Sequence, residues 1–221
     1  AYLEFVRFMP DKYKSRMKYI YNGFDTNKFK PIPKQNKLKI AIGSVGRIHH
    51  LKNHIQILRV FNELGNDNLE LVIVGDDGGQ KAHIEKYIDE NKLTKSVQII
   101  SQQNNIEEYY NNFDIFILSS LLEGCPNVLF EAMLCKCFCI ISKNANSDDF
   151  VMDGFNGLVY DGTDKDLKQK LEFAISIKET ESFNKICEAG YEYAKNNFSM
   201  AHMVKSYEDL YINVLNTKII E

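Results

Sequence analysis

The sequence predicts a doubly wound α/β fold, in which a parallel sheet of about six strands carries helices on both of its faces. Two observations support this fold class. Short, continuously apolar segments recur along the chain, and each is followed by a segment whose apolar residues are spaced as in a helix. Strands that are apolar on both faces are typical of parallel sheets covered by helices. The 221 residues, 44% of them hydrophobic and 26% charged, suffice for one large domain.

The predicted strands and helices alternate regularly from residue 38 onward. Strands are expected at residues 38–45, 69–74, 97–100, 114–118, 138–142 and 157–160. The helices between them are expected at residues 53–64, 80–91, 106–112 and 127–134. The tail at residues 164–214 is expected to be helical, with breaks near Thr180 and Asn197. In folds of this class, ligands bind at the carboxyl ends of the strands.

Upstream of the sheet, the sequence predicts an amphipathic helix, a short strand at residues 19–21, a turn at Asn22-Gly23 and a linker with Pro31 and Pro33. Because the chain opens inside the predicted helix, we expect it to be a fragment. We divide the chain into a leading helix and interdomain linker, an α/β domain, and C-terminal helices packing on the same domain, at residues 1–35, 36–162 and 163–221.

The charge is unevenly distributed. The formal net charge of −3 gives no reason to expect nucleic acid as a partner. Residues 1–39 nevertheless hold ten Lys or Arg residues against three acidic ones. Two interpretations stay open: these cations cover a solvated surface, or they bind a negatively charged substrate or an anionic membrane surface. No apolar run reaches the ~20 residues that span a bilayer, so no transmembrane helix is predicted.

The cysteines predict a compartment rather than a metal site. There are five of them, an odd number, and the sequence has no recognisable signal peptide, so we expect a reducing cytoplasm. Cys137 and Cys139 alternate with Phe138, which places both on one buried face of a strand. Structural zinc usually needs two CxxC pairs, and the sequence offers none. We therefore expect no metal.

Two loops at predicted strand ends are suited to a phosphate-bearing ligand. After the first strand, Gly46 lets a ligand approach the backbone, and Arg47 and Lys52 can neutralise a phosphate. This loop lacks both the Walker signature and the GxGxxG fingerprint, so a plain solvated loop is the alternative. After the second strand, Asp76 and Asp77 lie in a Gly-rich segment that either lines the ligand site or is only a turn.

The segment around Pro126 is the most specific. Pro126 fits the first turn of a helix, where the free backbone N–H groups of Asn127 and Val128 favour an anion. Glu131 on the second turn leans toward the helix N-terminus, and Glu123 precedes the helix in the loop. Both carboxylates are therefore expected to face one crevice. In the alternative, Glu123 caps a turn and Glu131 is an ordinary helical residue.

The seven-residue spacing of Glu123 and Glu131 resembles the donor-site motif of retaining GT-B glycosyltransferases of the large bacterial glycosyltransferase family 4, or group 1, type. Five further segments agree in order and spacing: Tyr21-Asn22-Gly23-Phe24-Asp25, Val45-Gly46-Arg47 with Lys52, Ile73-Val74-Gly75-Asp76, Tyr109-Tyr110 before Phe113-Asp114, and Asp153-Gly154-Phe155-Asn156-Gly157-Leu158. The chain is similar to the C-terminal, donor-binding domain of such an enzyme, one of its two Rossmann-like halves. The resemblance implies that the acceptor-binding half lies outside this sequence.

The resemblance implies transfer of a sugar from a nucleotide diphosphate sugar, such as a UDP-sugar, to an acceptor hydroxyl, with retention and without a metal or another cofactor. Arg47, Lys52 and Glu123 are the implied catalytic residues, the first two at the pyrophosphate and Glu123 at the donor sugar. Glu131 is implied to bind the ribose, with the base near residues 101–104. The other implied donor-binding residues are Gly46, Gly124, Cys125, Asn127 and Val128.

The implied acceptor is a glycan or a lipid-linked sugar, bound through the missing N-terminal domain, in surface polysaccharide, lipopolysaccharide or glycolipid synthesis. We expect a cytoplasmic protein, with peripheral contact to the inner face of the plasma membrane as an open alternative. A GT-B-like nucleotide-sugar epimerase and a non-catalytic nucleotide-sugar-binding module also remain open. The presence of both carboxylates favours catalysis, because a pure binding module has less need of them.

Two segments depart from the family pattern. Ala145-Asn146-Ser147-Asp148-Asp149 stands where the family often has Gly-Gly-x-x-Glu, which leaves open how this loop contacts the sugar and the phosphate. Cys135-Lys136-Cys137-Phe138-Cys139 stands where the family has Cys-Gly-x-Pro-Val. The second departure falls on a helix-to-strand turn and concerns local geometry.

Overall fold

A computed structural model describes residues 9–11, 17–33 and 38–218 of the chain. Within these residues, six parallel strands form one sheet with the spatial order β3-β2-β1-β4-β5-β6. The strands are β1 Ile40–Val45, β2 Leu69–Val74, β3 Val97–Ile100, β4 Ile115–Leu118, β5 Phe138–Ser142 and β6 Leu158–Tyr160. The predicted doubly wound parallel sheet is confirmed, and its strand order reverses between β1 and β4, the place where such folds bind ligands.

Seven α-helices are described along the same residues. They are α1 His54–Leu64, α2 Lys81–Glu90, α3 Ile106–Asn112, α4 Asn127–Leu134, α5 Asp164–Ser176, α6 Glu181–Phe198 and α7 Met200–Lys218. Helix α5 packs on α1 and β6, and α6 packs on α4 and β5, so the C-terminal helices cover the α/β domain. In the described part of the chain, no helix combines the length and apolarity that a membrane span requires.

Side chains alternate between two hydrophobic clusters along each strand. On β5, Phe138 and Ile140 belong to the cluster that includes α1, whereas Cys139 and Ile141 belong to the cluster that includes α4. Cys137, immediately before β5, lies on the same side as Cys139, as its alternation with Phe138 predicts. All three cysteines of the 135–139 segment are buried, which fits their role as small core residues.

Two local predictions are wrong, and one lies outside the described residues. Residues 19–21 form no strand, and Phe24 instead makes a single parallel bridge with Ser199. Pro126 precedes α4 as its N-cap residue rather than occupying the first turn. The predicted leading helix falls mainly on residues 1–8 and 12–16, which the structure does not describe.

The segment around Phe24 docks on the junction between α6 and α7. The Phe24 N–H donates to the Phe198 carbonyl at 2.8 Å, and the Met200 N–H donates to the Phe24 carbonyl at 2.9 Å. A Cβ added to Gly23 would stand 2.8 Å from the Cα of Met200, so this position has no room for a side chain. The Phe24 ring lies 5.8 Å from that of Phe130, which anchors the segment to α4 as well.

Candidate functional site

A cleft of about 430 Å³ opens at the carboxyl ends of β1, β2 and β3. Parallel strands direct the loops that follow them to the same edge of the sheet, which is why residues far apart in sequence meet here. The cleft is lined by Val45, Gly46, Arg47, Val74, Gly75, Asp76, Asp77, Gln102, Gln103, Ile106 and Glu131. Its volume lies in the range of about 300–1,000 Å³ that is typical of small-molecule sites.

The loops that follow β1 and β2 are joined closely to each other. The Gly46 N–H donates to the Val74 carbonyl at 2.9 Å, and the Ile48 N–H donates to the Asp76 carbonyl at 2.8 Å. A Cβ on Gly75 would stand 2.0 Å from the carbonyl oxygen of Gly46, so only glycine permits this approach. Gly46 itself has a φ of 150°, within the range that favours glycine. The predicted Gly46-Arg47 loop is therefore fixed against its neighbour.

The two aspartates of the second loop have different environments. The Asp77 carboxylate accepts three backbone N–H groups, from Gly79 at 2.7 Å and from Gln80 and Lys81 at 3.1 Å each. These hydrogen bonds hold the pKa of the exposed Asp77 carboxyl below its usual value. Asp77 thus caps the beginning of α2, although it also borders the cleft. Asp76 accepts the Gln102 N–H at 2.9 Å and so ties the second loop to the third.

Glu131 lies on α4, the helix that follows β4. It borders the cleft next to the place where the strand order reverses, between β1 and β4. Its Oε2 accepts the hydroxyl of Tyr110 at 2.7 Å, and Tyr110 itself is wholly buried. Burial raises the pKa of the Glu131 carboxyl, while the Tyr110 hydroxyl and the Lys28 ammonium lower it. The carboxylate that the sequence assigns to a ligand is thereby held by one buried donor and borders a polar cleft.

Lys52 and Glu123 form an ion pair beside this cleft. Ser120 donates to the same Glu123 oxygen, Oε1, at 2.6 Å. The backbone of Lys52 is also held, because its carbonyl accepts the hydroxyl of Ser119 at 2.7 Å. The Lys52 side chain adjoins the cleft at Gly46, where an added Cβ would lie 3.6 Å from the Lys52 Cδ.

The two carboxylates predicted to face one crevice have separate positions. Glu131 lines the cleft, whereas Glu123 is paired with Lys52 at its margin and is not among the lining residues. The separation follows from local structure: Glu131 is fixed by α4, and Glu123 belongs to the preceding loop, which the ion pair and Ser120 hold in place.

The N-terminus of α4 differs from its predicted form at one backbone group. The Asn127 N–H donates to the Cys125 carbonyl at 2.9 Å and so is not free. Val128 is the second residue of the helix, where a backbone N–H has no partner within the helix. The Asn127 side chain accepts the amide of Asn22 at 3.2 Å, so the upstream segment closes over this end. Gly124 and Cys125 belong to the loop between Glu123 and Pro126.

Comparison with known proteins identifies the family. The sequence profile of the family described as "Glycosyl transferases group 1" matches residues 25–194, more than half of the chain. The chain belongs to this family. The matched region begins just after Phe24 and ends within α6, so it includes every cleft-lining residue.

The relatives of this group 1 domain are longer than the chain. A UDP-Gal:alpha-D-GlcNAc-diphosphoundecaprenol alpha-1,3-galactosyltransferase of Escherichia coli is 25% identical in an alignment 217 positions long, which covers 92% of this chain and 56% of that protein. The chain thus spans about half the length of this curated relative.

Solved structures share the fold at low sequence identity. A glycosyltransferase from Rickettsia africae has a TM-score of 0.84 and 20% identity, covering 91% of this chain and 58% of that one. The C-terminal domain of a glycosyl transferase group 1 family protein (LpcC) from Francisella tularensis has a TM-score of 0.71 and 23% identity. It is covered completely by 80% of this chain, so the fold is that of the C-terminal domain of a GT-B glycosyltransferase.

Three histidines follow the Gly46-Arg47 loop of this group 1 domain without forming a metal centre. Among the described residues, no group of three His, Cys, Asp or Glu side chains is arranged to hold a metal ion. His54 is buried and its Nδ1 has no hydrogen-bond partner. Burial, with a smaller effect of the Lys52 charge, lowers the pKa of His54 to about 4, so this imidazole is neutral at physiological pH.

Sequence reasoning gave no individual role to Tyr110, Ser120 or Lys28. Tyr110 and Ser120 are buried donors to Glu131 and Glu123, respectively. Lys28 donates to the Asn104 carbonyl at 3.1 Å, near the cleft, and acts on Glu131 through its charge. Tyr110 belongs to a segment that resembles the family, but residue spacing does not indicate which carboxylate a distant hydroxyl meets.

Proposed function

We propose that this chain is the donor-binding part of a retaining, metal-independent glycosyltransferase that moves a sugar from a nucleotide diphosphate sugar to an acceptor hydroxyl. The observation that carries the proposal is the cleft, in which Arg47 and Glu131 meet at the carboxyl ends of three parallel strands. A cation and a carboxylate in one cleft suit a ligand that bears both phosphate and hydroxyl groups.

The lining residues suggest how the donor lies. We place the base against Gln102 and Gln103, beside the apolar side chains of Val45, Val74 and Ile106. The ribose hydroxyls then meet the carboxylate of Glu131. The pyrophosphate continues along Gly46 and Arg47 toward Lys52, whose side chain adjoins the cleft. This order places the donor sugar nearest Glu123.

The chemistry asks the protein to stabilise a leaving group. As the bond between the sugar and the nucleoside diphosphate breaks, negative charge grows on the diphosphate. Arg47, Lys52 and the Val128 N–H at the α4 N-terminus are already in position before the reaction. They stabilise that charge as it develops. Glu123 stands where it can accept hydrogen bonds from the sugar and stabilise the positive charge on the anomeric carbon.

The names of the relatives support transfer over the alternatives of epimerisation or simple binding. The Escherichia coli relative is named for UDP-galactose and for an acceptor linked to diphosphoundecaprenol. By analogy, we propose a UDP-sugar as donor and a glycan or lipid-linked sugar as acceptor, in surface polysaccharide or glycolipid synthesis. The acceptor would bind to the part of the longer relatives that this chain does not cover. Transfer would take place in the cytoplasm, at the inner face of the membrane.

A binding screen and a transfer assay test the proposal. Thermal denaturation of the chain with UDP, GDP and ADP, each free and sugar-linked, should show one base that raises the melting temperature, because a ligand that binds only the folded state stabilises it. The chain by itself should transfer no sugar. The protein extended by the half that its relatives carry should transfer sugar with retention, and should do so in EDTA. Absence of binding to every diphosphate would contradict the donor site, and loss of transfer in EDTA that Mn²⁺ restores would contradict metal independence.

A further inference from the structure

The hydroxyl of Tyr110 is the buried partner of Glu131, one of the carboxylates that line the cleft. Tyr110 lies on α3, Glu131 lies on α4, and the hydroxyl donates to Glu131 Oε2 at 2.7 Å. Tyr110 has no exposed surface, whereas Glu131 borders the cleft. The contact therefore joins the core of the domain to its ligand site.

The position of this hydroxyl is fixed by packing. The Tyr110 ring lies 5.7 Å from the ring of Phe116, 6.1 Å from that of Phe113 and 6.2 Å from that of Phe29, counted between centroids. Its backbone carbonyl accepts the thiol of Cys137 at 3.1 Å. A side chain enclosed on several sides has few alternative rotamers, so the direction of its O–H bond is set before any ligand arrives.

The hydrogen bond between Tyr110 and Glu131 has one direction, from the hydroxyl to the carboxylate. Burial, and then the Glu131 charge, raise the pKa of the Tyr110 hydroxyl well above its usual value, so it remains a donor at any physiological pH. A charged carboxylate has two oxygens and accepts only. Tyr110 occupies one accepting position on Oε2, so Oε1 and the remaining lone pair of Oε2 are left to meet a ligand.

We infer that Tyr110 is a positioning residue for the donor nucleoside: its hydroxyl orients Glu131 so that the carboxylate accepts hydrogen bonds from the ribose hydroxyls. The inference rests on the proposed function, because it requires a ribose-bearing ligand in the cleft. Tyr110 acts through Glu131 and touches no ligand.

The test compares two buried tyrosines. Tyr110→Phe removes the hydroxyl that meets Glu131. Tyr160→Phe is the matched control, because Tyr160 is also wholly buried and its hydroxyl donates to Gln56 at 2.8 Å, in the cluster on the other face of the sheet. Affinity is measured by calorimetry for the nucleoside diphosphate, among UDP, GDP and ADP, that the unaltered protein binds best, and for its 2′,3′-dideoxy analogue.

We expect Tyr110→Phe to lose most of the protein's preference for a ligand that carries the ribose hydroxyls. The unaltered protein and Tyr160→Phe should each lose roughly 30-fold in affinity when the two hydroxyls are removed from the ligand. Tyr110→Phe should bind the parent diphosphate about tenfold more weakly and lose only about threefold further with the dideoxy analogue. A merely structural role would lower both affinities by one common factor.

The pH profile provides a second distinction. Other charged groups that line the cleft or act on Glu131 are Lys28, Arg47, Asp76 and Asp77, and both tyrosine variants retain all of them. Tyr110→Phe removes a hydrogen bond that favours the charged form of Glu131, so its carboxyl protonates at higher pH. Between pH 8 and pH 6, the affinity of Tyr110→Phe should therefore fall more than that of Tyr160→Phe.

The outcomes separate this inference from the proposed function. Equal affinity of the unaltered protein for the parent and the dideoxy ligand would overturn the ribose site itself. A normal ribose preference that persists in Tyr110→Phe would overturn only the role of Tyr110. If Tyr110→Phe fails to fold, the hydroxyl proton of Tyr110 in the unaltered protein gives the answer by nuclear magnetic resonance. It should shift more with the parent ligand than with the dideoxy analogue, and equal shifts would contradict the inference.

Discussion

The ammonium group of Lys52, in the loop after β1, is paired with the carboxylate of Glu123, in the loop after β4. Both side chains are partly shielded, with 27% and 11% of their surfaces exposed, so the pair is more than a solvated surface contact. In the proposed function, the two residues serve different parts of the donor, and binding of a diphosphate places a second anion next to Lys52.

Replacement of either loop cation should affect turnover more than binding. Arg47→Ala or Lys52→Ala in the complete enzyme should lower kcat about 10²–10³-fold, because each removes a charge whose partner grows in the transition state. Steady-state kinetics with saturating acceptor measures this directly. An effect confined to KM would show uniform binding of ground and transition states and would contradict the assignment.

The ion pair adds a further expectation to this first prediction. Lys52→Ala leaves the shielded Glu123 without its cation, so part of the loss reflects a stranded carboxylate. The double variant Lys52→Ala/Glu123→Gln should therefore lose less activity than the product of the two single losses. Arg47→Ala combined with Glu123→Gln is the control, since the structure records no ion pair between those two side chains among the described residues.

The two carboxylates should respond differently to neutralisation, which is the second prediction. Glu131→Gln should weaken binding of a nucleoside diphosphate with or without a sugar, because Glu131 borders the part of the cleft assigned to the ribose. Glu123→Gln should matter little for the bare diphosphate and much for the sugar-bearing donor and for turnover. Calorimetric titration of both variants with both ligands distinguishes the roles. Normal diphosphate binding by Glu131→Gln, with loss in Glu123→Gln, would reverse them.

The sheet and its helices could be predicted because their signals are local. Leu69–Val74 is apolar throughout and bounded by turn residues, and it forms a strand with those bounds. The helix at Asn127–Leu134 likewise has the predicted bounds. The strand predicted at residues 19–21 was wrong because its β-branched and aromatic residues are used for packing. Tyr21 lies 5.4 Å from Phe150 and 5.2 Å from Phe198, measured between ring centroids.

The site was predictable in its residue types and only partly in its geometry. The glycines and the charged residues at strand ends indicated the edge of the sheet where the cleft opens. Which partner each carboxylate takes depends on contacts between segments distant in sequence. Glu131 and Tyr110 are 21 residues apart, and Lys52 and Glu123 are 71 residues apart. No local pattern specifies such pairs.

A third prediction concerns the turn after α4, where the family often has glycine. Lys136 has a φ of 57°, in the left-handed region that glycine adopts most easily. Lys136→Gly relieves this strain, whereas Lys136→Ala retains it, and both lose the ion pair with Glu188. The glycine variant should therefore be more stable than the alanine variant by about 1 kcal/mol. Urea denaturation of the two variants checks the difference, and equal stabilities would show that the turn is unstrained.

The fourth prediction tests whether the joined loops are needed for the cleft. Gly75→Ala puts a Cβ 2.0 Å from the Gly46 carbonyl oxygen, so one loop must move. We expect a loss of about 1–3 kcal/mol in stability and a marked loss of nucleoside diphosphate binding.

Gly65→Ala is the matched control for Gly75→Ala. Gly65 has a φ of 56° but no neighbouring atom within 4 Å of an added Cβ, so its substitution strains only the backbone. It should cost about 1 kcal/mol in stability and leave nucleotide binding unchanged. Thermal melts and calorimetry provide both quantities. If Gly75→Ala also bound nucleotide normally, the contact between the two loops would have no part in shaping the site.

The last prediction is a pH dependence of stability that His54 introduces at the first turn of α1. Burial lowers the pKa of His54 to about 4 from an ordinary value of 6.5, so the folded state resists protonation that the unfolded chain accepts. The stabilising contribution is complete above pH 6.5 and is lost as the pH falls toward 4. At pH 5, the unfolding free energy should have dropped by about 2 kcal/mol on this account.

His54→Leu isolates this contribution, because the leucine side chain has no group that binds a proton. The unfolding free energies of the original protein and the variant are compared by urea denaturation at pH 7.5 and at pH 5. All other titrating groups are common to both proteins, so they cancel in the difference. The original protein should lose about 2 kcal/mol more than His54→Leu between the two pH values. Parallel losses would mean that His54 is as easily protonated in the folded domain as in the unfolded chain.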